Sequence, residues 1–129
     1  MPRKIATVTL VVADYDEAIA YYTGVLGFTL VADTPLGPGR RWVLVSAGDG
    51  GSRLLLAKAD GDEQSAHIGD QTGGRVAFFL ETDDFARDHA AFTAKGVTFL
   101  EAPRHEPYGS VAVFADLYGN TWDLIEPKS

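Results

Sequence analysis

From Ile5 to Val12 the chain alternates: Thr7, Thr9 and Val11 fall on one side, Val8, Leu10 and Val12 on the other. That two-residue period is the signature of a strand. Asp14 then stands at a helix N-cap position with Glu17 three residues on, an approximate capping box. Ala18, Ile19, Tyr22, Val25 and Leu26 recur at helical spacing until Gly27 stops the run, so the pattern predicts a helix over residues 15–26. Phe28 to Ala32 reads as a strand and Pro35 to Gly39 as a loop. Arg41 to Ala47 and Arg53 to Ala59 read as two strands joined by the turn Gly48-Asp-Gly-Gly51. Together these make one β-α-β-β-β unit.

The order of elements then repeats. Asp60 to Gly74 is polar and glycine-bearing, the natural linker. Arg75 to Glu81 is a strand that puts Ala77, Phe79 and Glu81 on one face. Asp83 and Asp84 open a second helix, predicted over residues 84–95, which Gly96 closes. Strands follow at Val97 to Ala102, Ser110 to Ala115 and Asn120 to Glu126, the last two separated by Asp116-Leu-Tyr-Gly119. Asp14 superposes on Asp84, Tyr15 on Phe85, Tyr22 on Phe92, and, with small slips of register, Gly27 on Gly96 and Gly51 on Gly119. A long repeat present only twice points to a duplicated α+β domain rather than a solenoid. The expected architecture is a single domain, 1–129: module one at about 3–59, a linker at about 60–74 and module two at about 75–127. The two tandem β-α-β-β-β modules would form a curved mixed sheet around a cleft.

Composition narrows the function. The chain has no cysteine, which removes disulfides, thiolate metal sites and cysteine nucleophiles together. A net charge of −7 disfavours nucleic acid as a partner. No apolar run approaches membrane-spanning length, and the N-terminal residues run into an alternating stretch rather than a secretory apolar core. The expectation is a cytoplasmic protein with no membrane partner.

Three segments carry a family resemblance. Val8-Thr-Leu-Val-Val-Ala-Asp14 with Ala18-Ile-Ala-Tyr-Tyr22 and Val25-Leu-Gly-Phe28 resembles the opening of vicinal-oxygen-chelate (glyoxalase/bleomycin resistance/dioxygenase) proteins. Val76-Ala-Phe-Phe-Leu-Glu-Thr-Asp-Asp84 is similar to the start of their second module, and Asp116-Leu-Tyr-Gly-Asn-Thr-Trp-Asp-Leu-Ile-Glu126 to their closing hairpin. The resemblance covers nearly the whole chain and speaks more to fold than to function.

The resemblance implies a divalent metal held by side chains on four strands, where it polarises substrate oxygens. The corresponding positions here are Thr7, Leu55, Ala77 and Asp123. Leucine and alanine offer no donor atom, and one carboxylate with one hydroxyl cannot hold a catalytic ion. The expectation is therefore no metal and no cofactor. The histidines share no ligand spacing: His67 lies in the linker, His89 in the second helix, where it suits the helix–sheet seam, and His105 in a loop. No serine is visibly paired with His and Asp, and Gly48 to Gly51 lacks the lysine and hydroxyl of a phosphate loop.

What remains is a binding surface. The antibiotic-binding relatives stack aromatic rings on planar ligands, which nominates Trp42, Phe79, Tyr108 and Phe114 as lining residues. Thr7, Thr9 and Asp123 would supply polar contacts, and Leu55 and Ala77 the apolar floor. Asp123 should point inward and needs Arg41, Arg75, Thr7 or a cationic ligand nearby. The sequence thus reads as a metal-independent small-molecule binding protein, antibiotic sequestration being the role the resemblance implies, working as a homodimer. The alternatives are a lyase, isomerase or dioxygenase-like enzyme, either metal-free with Asp123 or Glu81 as base, or a metal enzyme with its ligands in another register.

Overall fold

The computed structural model describes residues 2–48 and 50–128; Met1, Ser129 and Asp49, within the glycine turn, lie outside them. The chain folds as two compact units, residues 1–68 and 69–129, each with its own mixed sheet of four or five strands. No helix among the described residues is long and apolar enough to cross a membrane.

The first unit contains β1 (Thr7–Val12), α1 (Tyr15–Gly24), β2 (Thr29–Gly37), β3 (Arg40–Ser46), β4 (Arg53–Lys58) and a short α2 (Asp62–Ser65). The sheet order is β1-β4-β3-β2, with β1 parallel to β4 and the other pairs antiparallel. Alternation puts Leu10, Val12, Val43, Val45, Leu54 and Leu56 on one face, where they are buried with Ala18 and Tyr22 of α1. The Asp14 carboxylate accepts the Glu17 backbone N–H at 2.8 Å and so caps α1. The helix ends two residues earlier than its apolar spacing predicts. Gly27, at φ +74°, turns the chain so that the Phe28 N–H donates to the Tyr22 carbonyl at 2.8 Å.

Two features of this unit depart from the sequence pattern. The predicted loop at 35–39 is largely strand: β2 continues to Gly37, with irregularities between Leu30 and Ala32 and between Pro35 and Gly37. As the edge strand of its sheet, β2 has no ladder on its outer side, so Pro35 is tolerated there. In addition, β3 and β4 pair only at Leu44–Leu55 and Val45–Leu54, and beyond these rungs the strands part. At the fork the Arg41 backbone N–H donates to the Tyr15 hydroxyl at 3.2 Å instead. The Arg41 guanidinium lies over the Tyr15 ring, 5.1 Å from its centre, and binds Asp33 at 2.7 Å and Asp16 at 2.9 Å.

The second unit contains β5 (Phe78–Glu81), α3 (Phe85–Ala94), β6 (Thr98–Phe99), β7 (Arg104–Glu106), β8 (Gly109–Ala115) and β9 (Thr121–Pro127). The order is β5-β9-β8-β6, β5 runs parallel to β9, and β7 also pairs with β8. The α3 side of the sheet is an aromatic core. Phe114 stacks on Trp122 at 5.8 Å and meets Phe92 edge-on at 5.5 Å, and Phe78 lies 4.6 Å from Trp122. The α3 N-terminus is held twice: Asp84 accepts the Arg87 N–H at 3.0 Å, and Glu126 of β9 accepts the Phe85 N–H at 2.7 Å. The predicted strand at 97–102 is only two residues long, and the predicted loop at 103–107 is strand β7. Between them the ladder breaks, and the Glu101 carboxylate supplies the missing acceptor to the Val113 N–H at 3.1 Å.

Asp116 organises the turn into β9. Although buried, its carboxylate accepts the Tyr118 and Asn120 backbone N–H groups at 3.0 Å, the Asn120 amide at 3.1 Å and the Trp122 indole N–H at 3.0 Å. Asn120 in turn accepts the Gln71 N–H at 3.1 Å, so the end of the segment read as a linker is fastened to this turn.

Candidate functional site

Each sheet turns one face away from its main helix, and most of the predicted binding residues fall on these two faces. On the first unit, register places Thr9 beside Leu55 and Leu44 opposite Leu55, with Thr7 and Trp42 two residues along on the same face. Trp42 is 41% exposed. It lines a cavity of about 740 Å³ that opens where β3 and β4 part, together with Leu36, Leu55, Arg40, Lys58 and Tyr15. The cavity is thus a direct consequence of the short β3–β4 ladder.

On the second unit, Phe79, Asp123 and Val113 form a row across β5, β9 and β8. Phe79 is 68% exposed and Ala77 lies two residues before it on the same face. Asp123 is only partly exposed, and its Oδ1 is buried without a hydrogen-bond partner among the described residues. Burial pushes this carboxyl above the usual aspartate range. The positive charge of Arg104 acts the other way, and the negative charge of Glu101 reinforces the rise. Arg104 itself is held by Glu101 at 3.1 Å and reaches the Tyr108 hydroxyl at 3.4 Å. Tyr108 is exposed.

Several expectations change. Phe114 does not line a binding face: it is fully buried among Phe92, Phe99 and Trp122, because its strand parity puts it on the α3 side with Trp122. Arg41 is engaged within its own unit by Asp16, Asp33 and Tyr15. The charges acting on Asp123 come instead from Glu101 and Arg104, a strand and a half away in sequence and invisible to any local motif. His89 sits in the helix–sheet seam, 4.1 Å from the Phe99 ring and 5.5 Å from Phe85. Sequence reading missed one pair: strand β7 brings His105 Nδ1 to 2.9 Å from the hydroxyl of Ser110, its direct partner in the β7–β8 ladder.

The four positions at which the family resemblance places metal ligands do not fit a metal. Thr7 and Asp123 carry donor atoms, whereas Leu55 and Ala77 carry none in their side chains. Among the described residues no group of three His, Asp or Glu side chains could hold an ion.

Comparisons with known proteins agree with this architecture. An uncharacterized protein of Shewanella frigidimarina (strain NCIMB 400) is 49% identical over 98% of this chain and 95% of its own length. The crystal structure of UcmS2 superposes with a TM-score of 0.83 at 31% identity, covering 97% of this chain and 98% of that one. TnmS3, described as an antibiotic binding protein from Streptomyces sp. CB03234, gives 0.79 at 27% identity, with 98% of both chains covered. The family model of the Glyoxalase/Bleomycin resistance protein/Dioxygenase superfamily matches residues 4–124, and the chain belongs to that superfamily.

Proposed function

We propose that this protein is a metal-independent small-molecule binding protein, and that its role is to sequester a planar compound of the antibiotic type. The observation that carries the reading is Asp123: a carboxylate oxygen withdrawn from water, given no donor by the described residues, beside an exposed phenylalanine ring. A buried acceptor left unpaired costs free energy that a ligand donor would recover. The ligand therefore offers a hydrogen-bond donor, neutral or cationic, to Asp123 and a flat apolar surface to Phe79. Trp42, Leu55, Thr7 and Thr9 serve the corresponding face of the first unit, Ala77 and Tyr108 that of the second. The antibiotic-binding description of TnmS3 supports this class of ligand. The functional species is a homodimer, for which the exposed apolar residues Leu30, Val31 and Leu36 of edge strand β2 supply surface.

The test is a thermal-shift screen of planar antibiotics and related aromatics, followed by calorimetry and a turnover assay on each hit. The expected result is saturable binding without turnover, undiminished by chelator, and weakened about tenfold or more by Asp123→Asn for a cationic ligand. Stoichiometric metal lost on mutating Asp123 would overturn it. One observation favours a second reading: a carboxyl raised by desolvation suits a general base. Turnover abolished by Asp123→Asn would select a metal-free isomerase or lyase instead. Glu81, the other candidate base, is exposed.

A further inference from the structure

The fork between β3 and β4 holds a polar group that the fold leaves half used. The Arg53 N–H points at β1, where it donates to the Ala6 carbonyl. Alternation therefore turns the backbone polar groups of Leu54 and its partner Val45 toward each other, and those of Arg41 into the fork. The Tyr15 hydroxyl stands there and accepts the Arg41 N–H at 3.2 Å. Tyr15 also lines the cavity of about 740 Å³. The fork is at the opposite end of β3 and β4 from the turn that joins them, roughly 20 Å along the strands.

A phenol hydroxyl both accepts and donates. In Tyr15 the accepting side is spent on Arg41, and among the described residues no acceptor takes its proton. The ring is fixed in place. It opens α1 and lies under the Arg41 guanidinium, 5.1 Å from the ring centre, and Asp16 and Asp33 hold that guanidinium in turn. The hydroxyl is thus a donor positioned before any ligand arrives. Around it, Trp42 presents a partly exposed ring and Leu55 an apolar surface. Arg40 and Lys58, both exposed, line the same cavity and enter no ion pair among the described residues. Asp60 is the one carboxylate among the lining residues, and the charge of Arg41 is already matched by Asp16 and Asp33.

We propose that this cavity takes a planar aromatic carboxylate, its ring against Trp42 and its carboxylate receiving the Tyr15 O–H, with Arg40 and Lys58 adding charge attraction. Such a ligand uses the unspent donor, the exposed ring and the excess of cations over Asp60 together. The volume lies in the ordinary range of small-molecule pockets, roughly 300–1,000 Å³. This site rests on the reading above only in assigning Trp42 to a ligand face. It does not use Asp123, and its ligand has the opposite charge to a cation held there.

The test titrates 2-naphthoate, 2-naphthamide and 2-naphthylmethylammonium into the ¹⁵N-labelled full chain, followed by calorimetry and amide spectra. The chain has two tryptophans, and the Trp122 indole N–H is bound to Asp116 in the core, so the Trp42 indole signal reports on the cavity. Naphthoate should shift the Trp42 indole and Arg41 backbone N–H signals, leave Trp122 in place and bind about tenfold more tightly than naphthamide. Tyr15→Phe keeps the ring and removes the hydroxyl; it should lower naphthoate affinity about tenfold and naphthamide affinity by less. Arg40→Gln and Lys58→Gln, at exposed positions, should each lower naphthoate affinity by about two- to threefold, an outcome independent of how well Tyr15→Phe folds. Naphthoate binding no more tightly than naphthamide, an unmoved Trp42 indole, or affinity unchanged in all three variants would each overturn the proposal. Binding of the ammonium compound at Asp123 without binding of naphthoate overturns it too, and leaves the Asp123 reading standing; naphthoate binding at Trp42 while the ammonium compound binds nowhere does the reverse.

Discussion

Replacing Asp116 by alanine should be among the most damaging single changes in this chain, and its cost can be built from the contacts. The carboxylate satisfies the Tyr118 and Asn120 backbone N–H groups, the Asn120 amide and the Trp122 indole N–H, all between 3.0 and 3.1 Å. Asn120 and Trp122 are themselves buried, so water does not readily replace the lost acceptor. Each buried donor left unpaired costs about 1–3 kcal/mol. Release of the carboxylate from its own buried position offsets part of this. The net loss is about 3–5 kcal/mol, a large share of the roughly 5–15 kcal/mol that stabilises an ordinary domain. Urea titrations followed by near-ultraviolet circular dichroism would measure it, since Trp122 packs rigidly against Phe78 and Phe114. The decisive form is a double-mutant cycle with Trp122→Phe, which keeps a ring in the core but removes the indole donor. Asp116→Ala should then cost about 1–2 kcal/mol less than in the parent. A loss below about 1 kcal/mol in the parent, or no coupling to Trp122, would refute the argument that this carboxylate secures the turn. The consequence reaches the binding face, because the turn starts β9, the strand that presents Asp123.

Three further outcomes follow from single positions. Asp123 has its folded-state carboxyl raised by burial, so folding holds its proton more tightly than the unfolded chain does. Its stabilising contribution is complete below the ordinary aspartate range and is lost as pH rises through the folded value; at neutral pH Asp123→Asn should therefore raise the melting temperature of the ligand-free protein, and a fall instead would contradict the desolvation argument. Trp42→Ala should cost less than about 2 kcal/mol, well short of the roughly 3–5 kcal/mol of a core tryptophan, because the ring is 41% exposed; acrylamide should correspondingly quench Trp42 and spare Trp122. Gly109→Ala should destabilise by more than about 2 kcal/mol in a thermal or urea melt, since φ is +150° there and an added Cβ would be driven into the Glu126 carbonyl; an unchanged melt would mean that the β8–β9 pairing yields at that end.

Much of the fold was legible because its signals are local. The alternation Thr7 to Val12, the capping aspartates Asp14 and Asp84, and the helix-ending Gly27 and Gly96 each act on their own neighbours, and each stands where the pattern put it. The repeated order of these elements was enough to draw the family resemblance, and the absence of donor atoms at Leu55 and Ala77 is a property of the residue types alone. Tertiary structure decided the rest, because each remaining question turns on which distant segments meet. Strand parity relative to α3, not residue type, sends Phe114 into the core and leaves Phe79 exposed. Helical spacing could not show that α1 ends at Gly24, and a proline-bearing segment read as a loop became strand because it lies on a sheet edge. The Arg41 tie, the Glu101 and Arg104 charges acting on Asp123 and the His105–Ser110 pair all join side chains from separate elements. Their energetics depend on distance and burial, quantities that hydrophobic periodicity encodes only for the element it forms.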